Sequence, residues 1–270
     1  MLVDSLWIYP IKGCKGQQVD AVDVTTEGFK GDREFVVTSE GVPMGQKSLP
    51  DLKHLSARWS GSRLTLSFRE GSTFEVPNEE MADEAPLDMI GRTVGRVDMG
   101  PSVAHWLSSA FGTPLRLARA QGPEPVILPI PAFSALKSAG QSKMVDVAPI
   151  LVVNQASLDD LNTKLDVPVP MDRFRANLVI SGLSPYQEDE LQGLVCERLK
   201  LKVITACERC AVTTFDQHLD GLEPSKEPLR TLSSYRRLPD GYAGGVIFGS
   251  YCTVEQPGPL HAGAVVSVIN

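Results

Sequence analysis

Short apolar runs recur along the chain, and each is ended after a few residues by glycine, proline or aspartate. The segment at residues 64–68 alternates apolar and polar side chains, which is the pattern of a strand with one buried face. Similar runs lie at residues 6–8, 22–26, 35–38, 73–76, 115–117, 150–153, 178–180, 203–205, 246–254 and 265–269. Many short strands separated by turn residues predict barrels or sandwiches rather than regular βαβ units.

Helical periodicity is confined to three segments. Ser102 is expected to cap the first of them, with Gly112 as its terminator. Ser157 followed by Asp160 resembles a capping box at the start of the second, and the third is predicted to begin near Pro228. Because strands outnumber helices, the pattern predicts a β-rich α+β fold.

Residues 121–143 are rich in proline, alanine, glycine and serine and have no clear period. Loops of this length are usually functional lids or linkers. We therefore expect a domain boundary at the start of this segment, with one domain over residues 1–119 and a second over residues 120–270.

Composition narrows the class of protein. The chain has 270 residues, 42% hydrophobic and 22% charged, as in an ordinary soluble globular protein. Its net charge of −7 argues against a nucleic-acid or anionic-membrane binder, although a local basic pocket for one small anion remains compatible with it.

The first residues lack the pattern of a secretion signal, and no apolar run approaches the roughly 20 residues of a membrane helix. Because the five cysteines are scattered and odd in number, we expect a cytoplasmic protein without a disulfide framework.

Cys207 and Cys210 bracket a charged pair and precede a β-branched run. A thiolate beside Arg209 would have a lowered pKa and would suit a soft metal. The pair alone is ambiguous, because it could also be redox-active or half of a zinc site. A zinc site would need two more ligands, and the conceivable ones, Cys14 and Cys196, have no paired neighbour. The four histidines lie far apart in the sequence.

Three basic loops accompany the cysteines. They are residues 9–16, with two lysines and two glycines, residues 28–33, which end in Gly-Asp-Arg, and residues 172–177, which hold two arginines. Glycine allows close approach of a backbone, and arginine offers forked donors to phosphate. Each loop alone is more often a solvated loop. Together with a thiolate, they predict a pocket for an anionic cofactor that bears sulfur or a metal.

Taken together, these segments resemble the MOSC-domain superfamily, and within it the mitochondrial amidoxime-reducing components and their bacterial relatives with a MOSC N-terminal β-barrel. The likeness extends nearly from end to end. The segments that carry it are residues 6–16, 31–33, 156–158, 161–162, 174–182, 207–216, 226–229 and 248–249.

The resemblance implies an N-terminal β-barrel domain followed by a MOSC β-barrel with a few short helices, and a molybdenum cofactor (Mo-molybdopterin) between them. It implies that Cys210 ligates the metal and that Asn177 and Asp146 are catalytic residues near it. Because the resemblance assigns ligation to Cys210 alone, our hypothesis is that Cys207 is structural or supports the ligand from behind. The residues implied to bind the cofactor are Lys12, Gly13, Cys14, Arg33, Asp146, Arg173, Arg175, Asn177 and Arg209.

The activity implied is that of a molybdenum-dependent oxidoreductase, which removes oxygen from small N-hydroxylated compounds in a two-electron reduction. Because the sequence carries no flavin, haem or iron–sulfur signature, electrons are expected from a separate electron-transfer protein or reductase. The alternatives are a molybdenum cofactor carrier, a sulfur-transfer MOSC protein, or a β-rich binding module with an incidental cysteine pair. Neither a nucleic acid nor a membrane is expected as a partner, and no transit segment, membrane anchor or ferredoxin-type domain is expected.

Three departures from the family pattern bear on substrate preference and pocket contacts. Gly13 stands where a serine is frequent, and Val147 and Ala148 follow Asp146 where relatives have hydroxyl residues. Near the C-terminus, Ala264 follows Gly263 in place of the usual aspartate.

Overall fold

The computed structural model describes residues 1–69, 71, 73–77, 83–89, 91–126, 140–221, 223–241 and 244–269. Within these ranges the chain is strand-rich, with three α-helices and a nearly closed barrel in the N-terminal half. This architecture confirms the predicted β-rich α+β class with a few short helices.

The strands are numbered in chain order. They are β1 (Leu2–Ile8), β2 (Gln17–Val19), β3 (Ala21–Thr25), β4 (Gly28–Phe29), β5 (Phe35–Ser39), β6 (Val42–Pro43), β7 (Leu55–Trp59), β8 (Leu64–Phe68), β9 (Thr73–Glu75), β10 (Asp83–Met89), β11 (Arg92–Asp98), β12 (Arg116–Ala120), β13 (Glu124–Pro125), β14 (Gln141–Ser142), β15 (Ile150–Asn154), β16 (Leu178–Ser181), β17 (Gly193–Cys196), β18 (Leu199–Glu208), β19 (Ile247–Gln256), β20 (Gly258–His261) and β21 (Ser267–Ile269).

Two sheets form most of the N-terminal half. One has five strands in the order β10-β11-β12-β5-β6, and the other is the meander β7-β8-β9. Alternate residues of β5 and β8 turn inward, where Phe35, Val37 and Leu66 pack with Leu52 and Leu107 in one buried cluster. Burial of such side chains contributes roughly 1.5–3 kcal/mol each, so this core fixes where the neighbouring loops emerge.

The C-terminal half is dominated by an eight-stranded sheet in the order β2-β1-β16-β15-β19-β18-β17-β21. Strands β15 and β16 pair in parallel, and the other neighbours pair in antiparallel fashion. The first two strands of the chain therefore belong to the sheet of its second half, and β3 likewise pairs with β20. As a result, the loop after β1 leaves the large sheet and enters the N-terminal barrel.

The α-helices are α1 (Pro101–Phe111), α2 (Gln155–Asn162) and α3 (Leu229–Ser233). Gly112 ends α1 in a left-handed conformation, as predicted, but the N-cap is Gly100 rather than Ser102. The N-cap of α2 is Asn154, whose side chain accepts from the amide of Ala156. The expected capping role of Ser157 was wrong, because its hydroxyl lies within the helix and donates to Glu188 at 2.8 Å.

Every predicted apolar run overlaps a strand, but several strands were not predicted. The clearest case is β11, in which the buried positions include Arg92, Arg96 and Asp98. Because charged residues occupy inward-facing positions of this strand, it lacks the alternation of apolar and polar residues that predicts a strand. The sequence pattern therefore did not predict it. Conversely, β18 is ten residues long where only residues 203–205 were predicted.

The proposed boundary near residue 120 falls beside the short pair β13–β14. Residues 127–139 of the proline-rich segment lie outside the described residues, and the division at 119/120 stays a prediction. Among the helices of the described ranges, none is long and apolar enough to cross a membrane.

Candidate functional site

Tyr9 lies just after β1, with 1% of its surface exposed. The guanidinium carbons of Arg33 and Arg175 lie 4.4 and 4.2 Å from the centroid of its ring. The hydroxyl of Tyr9 donates to the carbonyl of Ala176 at 3.2 Å, and burial raises the pKa of that hydroxyl. Since guanidinium groups are attracted to aromatic faces, the ring brings together two cations from opposite halves of the chain.

Both arginines are fixed by hydrogen bonds and by an uncommon backbone conformation. Arg33 donates to the carboxylate of Asp32 at 2.5 Å, to the side-chain oxygen of Asn177 at 3.1 Å and to the carbonyl of Arg175 at 3.2 Å. Arg175 donates to the carbonyl of Cys14 at 2.6 Å. The φ angles of the two arginines, 44° and 56°, lie in the left-handed region that non-glycine residues rarely adopt. Their neighbours therefore determine where each fork points.

Asn177 is 1% exposed, and its side-chain amide is fully engaged. Its oxygen accepts from Arg33 and from the backbone amide of Leu151 at 3.2 Å, while its nitrogen donates to the carbonyl of Trp7 at 3.2 Å. The residue joins β1 and β15 and orients Arg33. These contacts position Arg33, and the predicted catalytic role of Asn177 stays a prediction.

We call Tyr9, Asp32, Arg33, Arg175 and Asn177 the Tyr9 cluster. Burial raises the pKa of Asp32 and outweighs the opposing effect of Arg33. Burial and the neighbouring Arg33 charge lower the pKa of Arg175. The cluster thus contains two guanidinium groups and one carboxylate, so a further anion beside it would be favourable.

Lys12 and Asp146 form an ion pair next to this cluster. The backbone amide of Lys12 donates to the carbonyl of Phe35 at 2.8 Å, which ties the first basic loop to the barrel. Burial acts to raise the pKa of Asp146, but the charges of Lys12, Arg33 and Arg92 outweigh it and hold that pKa below its ordinary value. Asp146 is therefore a carboxylate at neutral pH.

Gly13 and Cys14 contribute their backbone. Gly13 has a φ of 81°, and its carbonyl accepts from the side chain of Gln46 at 2.8 Å. Cys14 is fully buried in the N-terminal core, where burial raises the pKa of its thiol to about 12. Its carbonyl, rather than its thiol, meets Arg175 of the Tyr9 cluster.

The two cysteines at the end of β18 have opposite environments. Cys207 is fully buried, and its sulfur accepts from Arg209 at 2.6 Å. Arg209 also donates to the carbonyl of Phe174 at 2.7 Å. Burial raises the pKa of Cys207, although Arg209 opposes this effect. Cys210 is exposed and begins a 3₁₀ turn in which its carbonyl accepts from the amide and the hydroxyl of Thr213.

We call residues 207–221 the Cys210 arm. A second 3₁₀ turn, Met171–Phe174, packs beside it: Arg173 donates to the carbonyl of Thr213 at 3.3 Å and pairs with Asp216 at 3.2 Å. Arg209 reaches Phe174, and the following residue belongs to the Tyr9 cluster. Continuous contacts therefore join the exposed thiol turn to the cations around Tyr9.

The nine residues predicted to bind the cofactor come from five segments of the chain, and the contacts above link these segments to one another. Cys210 directly follows Arg209 in one of them. The sequence did not identify Tyr9 as the aromatic ring against which two arginines lie, although Tyr9 belongs to the first basic loop. Sequence reasoning also missed Arg92, a buried residue of β11 that donates to the carbonyls of Ser142, Lys143 and Val145, directly before Asp146. No local pattern marks a buried strand arginine, because its partners are distant in sequence.

The described part of the chain contains no group of three or more histidine, cysteine, aspartate or glutamate residues that could hold a metal ion. A cleft of about 450 Å³ borders Asp32, and it is lined also by Glu34 and Lys143, which pair at 3.0 Å. Neither this cleft nor a more open one at Lys164 includes Cys210. We take the exposed thiol and the clustered cations as the candidate site, because a thiolate can ligate a soft metal and guanidinium groups can bind an anion.

Two family models match the chain. Residues 1–114 match the MOSC N-terminal beta barrel domain, and residues 139–267 match the MOSC domain. The chain is 32% identical to the mitochondrial amidoxime-reducing component 1 of Homo sapiens, over 99% of this chain and 82% of that protein. It is 32% identical to the mitochondrial amidoxime reducing component 2 of Bos taurus, over 97% of this chain and 81% of that protein.

A third relative has a different name. The chain is 31% identical to the molybdenum cofactor sulfurase of Oryza sativa subsp. japonica, over 93% of this chain but only 32% of that protein. The likeness therefore concerns about a third of that longer protein.

Proposed function

The chain belongs to the family in which a MOSC N-terminal beta barrel domain precedes a MOSC domain, the family of the amidoxime-reducing components, and from this premise we propose that it is a molybdenum-dependent oxidoreductase that reduces N-hydroxylated compounds. The observation that carries the proposal is that one exposed thiol, Cys210, stands in an arm that hydrogen bonds join to the segment bearing Arg175 of the Tyr9 cluster. Both halves of the chain supply cations to that cluster.

The residues fit a molybdenum cofactor, which brings a metal, two thiolates and a phosphate. An exposed thiol suits a soft metal, and a surplus of guanidinium charge suits a phosphate. Two buried atoms support the fit: the Nε atoms of Arg173 and Arg209 have no hydrogen-bond partner in the described part of the chain. Unpaired buried donors are costly, so a nearby acceptor group would stabilise them.

When bound, the cofactor supplies the two-electron chemistry that breaks the nitrogen–oxygen bond, and the protein supplies binding, orientation and electrostatics. Cys210 would be the protein ligand to molybdenum. Arg33, Arg175 and Lys12 would hold the anionic part of the cofactor. Asp146 is a carboxylate beside these cations and is a candidate for orienting a bound substrate.

Arg209 supports the segment that carries the Cys210 thiol. Its guanidinium joins Cys207 to Phe174 and thereby fixes the strand end from which Cys210 projects. We therefore assign Cys207 a structural role and Cys210 the ligand role. Arg173 holds the turn after Cys210 from the other side, through Thr213 and Asp216.

The partners in this proposal are a small N-hydroxylated substrate and a separate electron-transfer protein or reductase. A metal held at an exposed thiol would be reachable by both. The cytoplasmic location stays a prediction.

The test is to make the protein in a host that synthesises the cofactor and to measure its molybdenum and pterin content. Reduction of N-hydroxylated compounds is then assayed with an artificial electron donor. We expect about one molybdenum per chain and turnover, both lost in Cys210→Ala but lowered only a few-fold in the matched variant Cys207→Ala. A folded protein without molybdenum in that host would contradict the proposal.

A carrier or sulfur-transfer role is the second candidate, favoured by the likeness to part of the Oryza sativa sulfurase. Such a protein would use the same cations and the same thiol. If the protein holds stoichiometric molybdenum but reduces no N-hydroxylated compound with any of several electron donors, this role is favoured over the reductase.

A further inference from the structure

Three residues outside the proposed cofactor contacts tie the Cys210 arm to the N-terminal half. They are Gln46, Lys53 and Gln217, which we call the latch. We propose that the latch is a positioning device. It holds the Cys210 arm in a fixed position relative to the first basic loop, residues 9–16, so that the thiol and the cations face one ligand. This role rests on the proposed function of that site.

Lys53 supplies the first part of the latch. It belongs to the 3₁₀ turn Pro50–His54, is 1% exposed, and donates to the carbonyls of Asp216 at 2.9 Å, Leu219 at 2.6 Å and Gly221. An ammonium group has three donors and no acceptor, so one loop satisfies it completely. Burying an ammonium is costly unless it is paired, which makes three acceptors from a single loop a specific arrangement.

The second part is a reciprocal amide pair. The side-chain nitrogen of Gln46 donates to the oxygen of Gln217 at 2.9 Å, and the nitrogen of Gln217 donates back at 3.1 Å. Both residues are buried. Gln46 also donates to the carbonyl of Gly13 at 2.8 Å, and Gln217 donates to that of Phe215 at 3.0 Å. Gln46 thus bonds directly to the first basic loop and to the Cys210 arm.

Asp216 transmits the restraint to the thiol turn. One oxygen of its carboxylate accepts from the amides of His218 and Leu219, at 2.8 and 3.2 Å, and so shapes the loop that Lys53 holds. The other oxygen pairs with Arg173, which donates to the carbonyl of Thr213 within the turn that Cys210 begins. Removing the ammonium group of Lys53 should therefore make the position of Cys210 less fixed. The effect is indirect, because Lys53 bonds to carbonyls further along the arm and not to Cys210.

The test uses Lys53→Met and, because that change could impair folding, Gln46→Met as a second variant. Lys47→Met, at an exposed neighbouring position, is the matched control. Cys210 is the one exposed cysteine of the five, so a nitroxide reagent labels it selectively in full-length protein made without cofactor. A second set of samples is loaded with cofactor, and the release of molybdenum on dialysis is followed over time.

We expect the label on Cys210 to become more mobile in both latch variants, with amide exchange at residues 211–221 about tenfold faster or more, and β7 and β8 unchanged. Cofactor release should quicken by a similar factor, and Lys47→Met should match the parent. In the double variant Gln46→Met/Gln217→Met, the losses should be less than additive, because the two amides bond to each other.

A label of unchanged mobility in both folded variants would overturn the proposal, and so would a mobile label with unchanged cofactor release. A uniform rise in exchange across the protein would mean a purely structural role, which also overturns it. If the parent protein retains no molybdenum, the proposed function fails, but the label and exchange measurements still decide whether the latch positions the arm.

Discussion

The Tyr9 cluster and the Cys210 arm, the two parts of the proposed site, are held in different ways. In the cluster, the buried carboxylate of Asp32 accepts from Tyr9 and Arg33, and the partly buried guanidinium groups donate to acceptors within 3.2 Å. In the arm, the thiol of Cys210 is exposed, and the restraints act on carbonyls some residues away. The cluster is therefore organised before any ligand arrives, whereas the arm offers one reactive atom on a tethered loop.

The difference teaches how binding and reactivity are divided. Cations that are already fixed in place lower the cost of binding an anion, because no reorganisation is needed. A metal ligand must instead remain open to the metal, to the substrate and to the electron donor. Cys207 and Cys210 show the same division three residues apart: one thiol is buried against Arg209, and the other is free to bind.

The largest effect is expected from removing the exposed thiol. Cys210→Ala should reduce molybdenum retention to background, because it deletes the proposed protein ligand, while the melting temperature stays within about 2 °C since the side chain is exposed. Metal analysis and calorimetry on the same samples check both expectations. Retention of stoichiometric molybdenum by this variant would show that the arm does not provide the ligand.

The next largest effect should come from the cluster. Arg33→Ala removes three donors and leaves Asp32 buried beside Tyr9, so we expect about 3–5 kcal/mol of lost stability. Cofactor release should also be faster by roughly ten- to a hundredfold, as expected for loss of a charge-assisted donor. Denaturant unfolding and dialysis measure the two effects, and Arg58→Ala, at an exposed arginine, is the control. Unchanged cofactor occupancy would remove Arg33 from the proposed binding set.

A milder effect is expected at the buried thiol. Cys207→Ala takes away one of the two acceptors of Arg209 and should cost about 1–3 kcal/mol of stability. Molybdenum retention should fall only a few-fold, which is less than in Cys210→Ala. If the two variants exchanged behaviours, the assignment of ligand and structural roles would have to be reversed.

The smallest effect on the site is expected from an ion pair that is not among the predicted site residues. Asp98 accepts from the amide of Gly100 and from Arg116, and although burial opposes them, these bonds hold the pKa of Asp98 below its ordinary value. Its contribution to stability is therefore present above about pH 4, the ordinary aspartate pKa, and is lost as pH falls through the lower, folded-state pKa.

Asp98→Asn should thus be about 1–2 kcal/mol less stable than the parent at neutral pH, a modest cost because the half-exposed Arg116 is screened by solvent. The difference should shrink below about pH 4, while cofactor content at neutral pH remains that of the parent. Denaturant midpoints at several pH values test this. A pH-independent difference would mean that packing, not charge, accounts for the loss.

Sequence periodicity located much of this fold. The alternating run at residues 64–68 became β8, and the terminator Gly112 ended α1 as predicted. The basic loops and the cysteine pair marked the neighbourhood of the site, since glycine, arginine and thiol chemistry can be recognised locally. The pairing of β1 with β16 could not be predicted in this way, because register depends on partners far apart in the chain.

The sequence by itself determined which residue types are available: two cysteines three apart, three basic loops and many short strands. Only the tertiary structure decided that Cys207 is buried and Cys210 exposed, that Tyr9 carries two arginines, and that Lys53 holds the Cys210 arm. The physical reason is that burial, cation–aromatic contact and the satisfaction of a buried ammonium depend on groups brought together by folding. Residues 46 and 217, which share one amide pair, are 171 positions apart in the sequence.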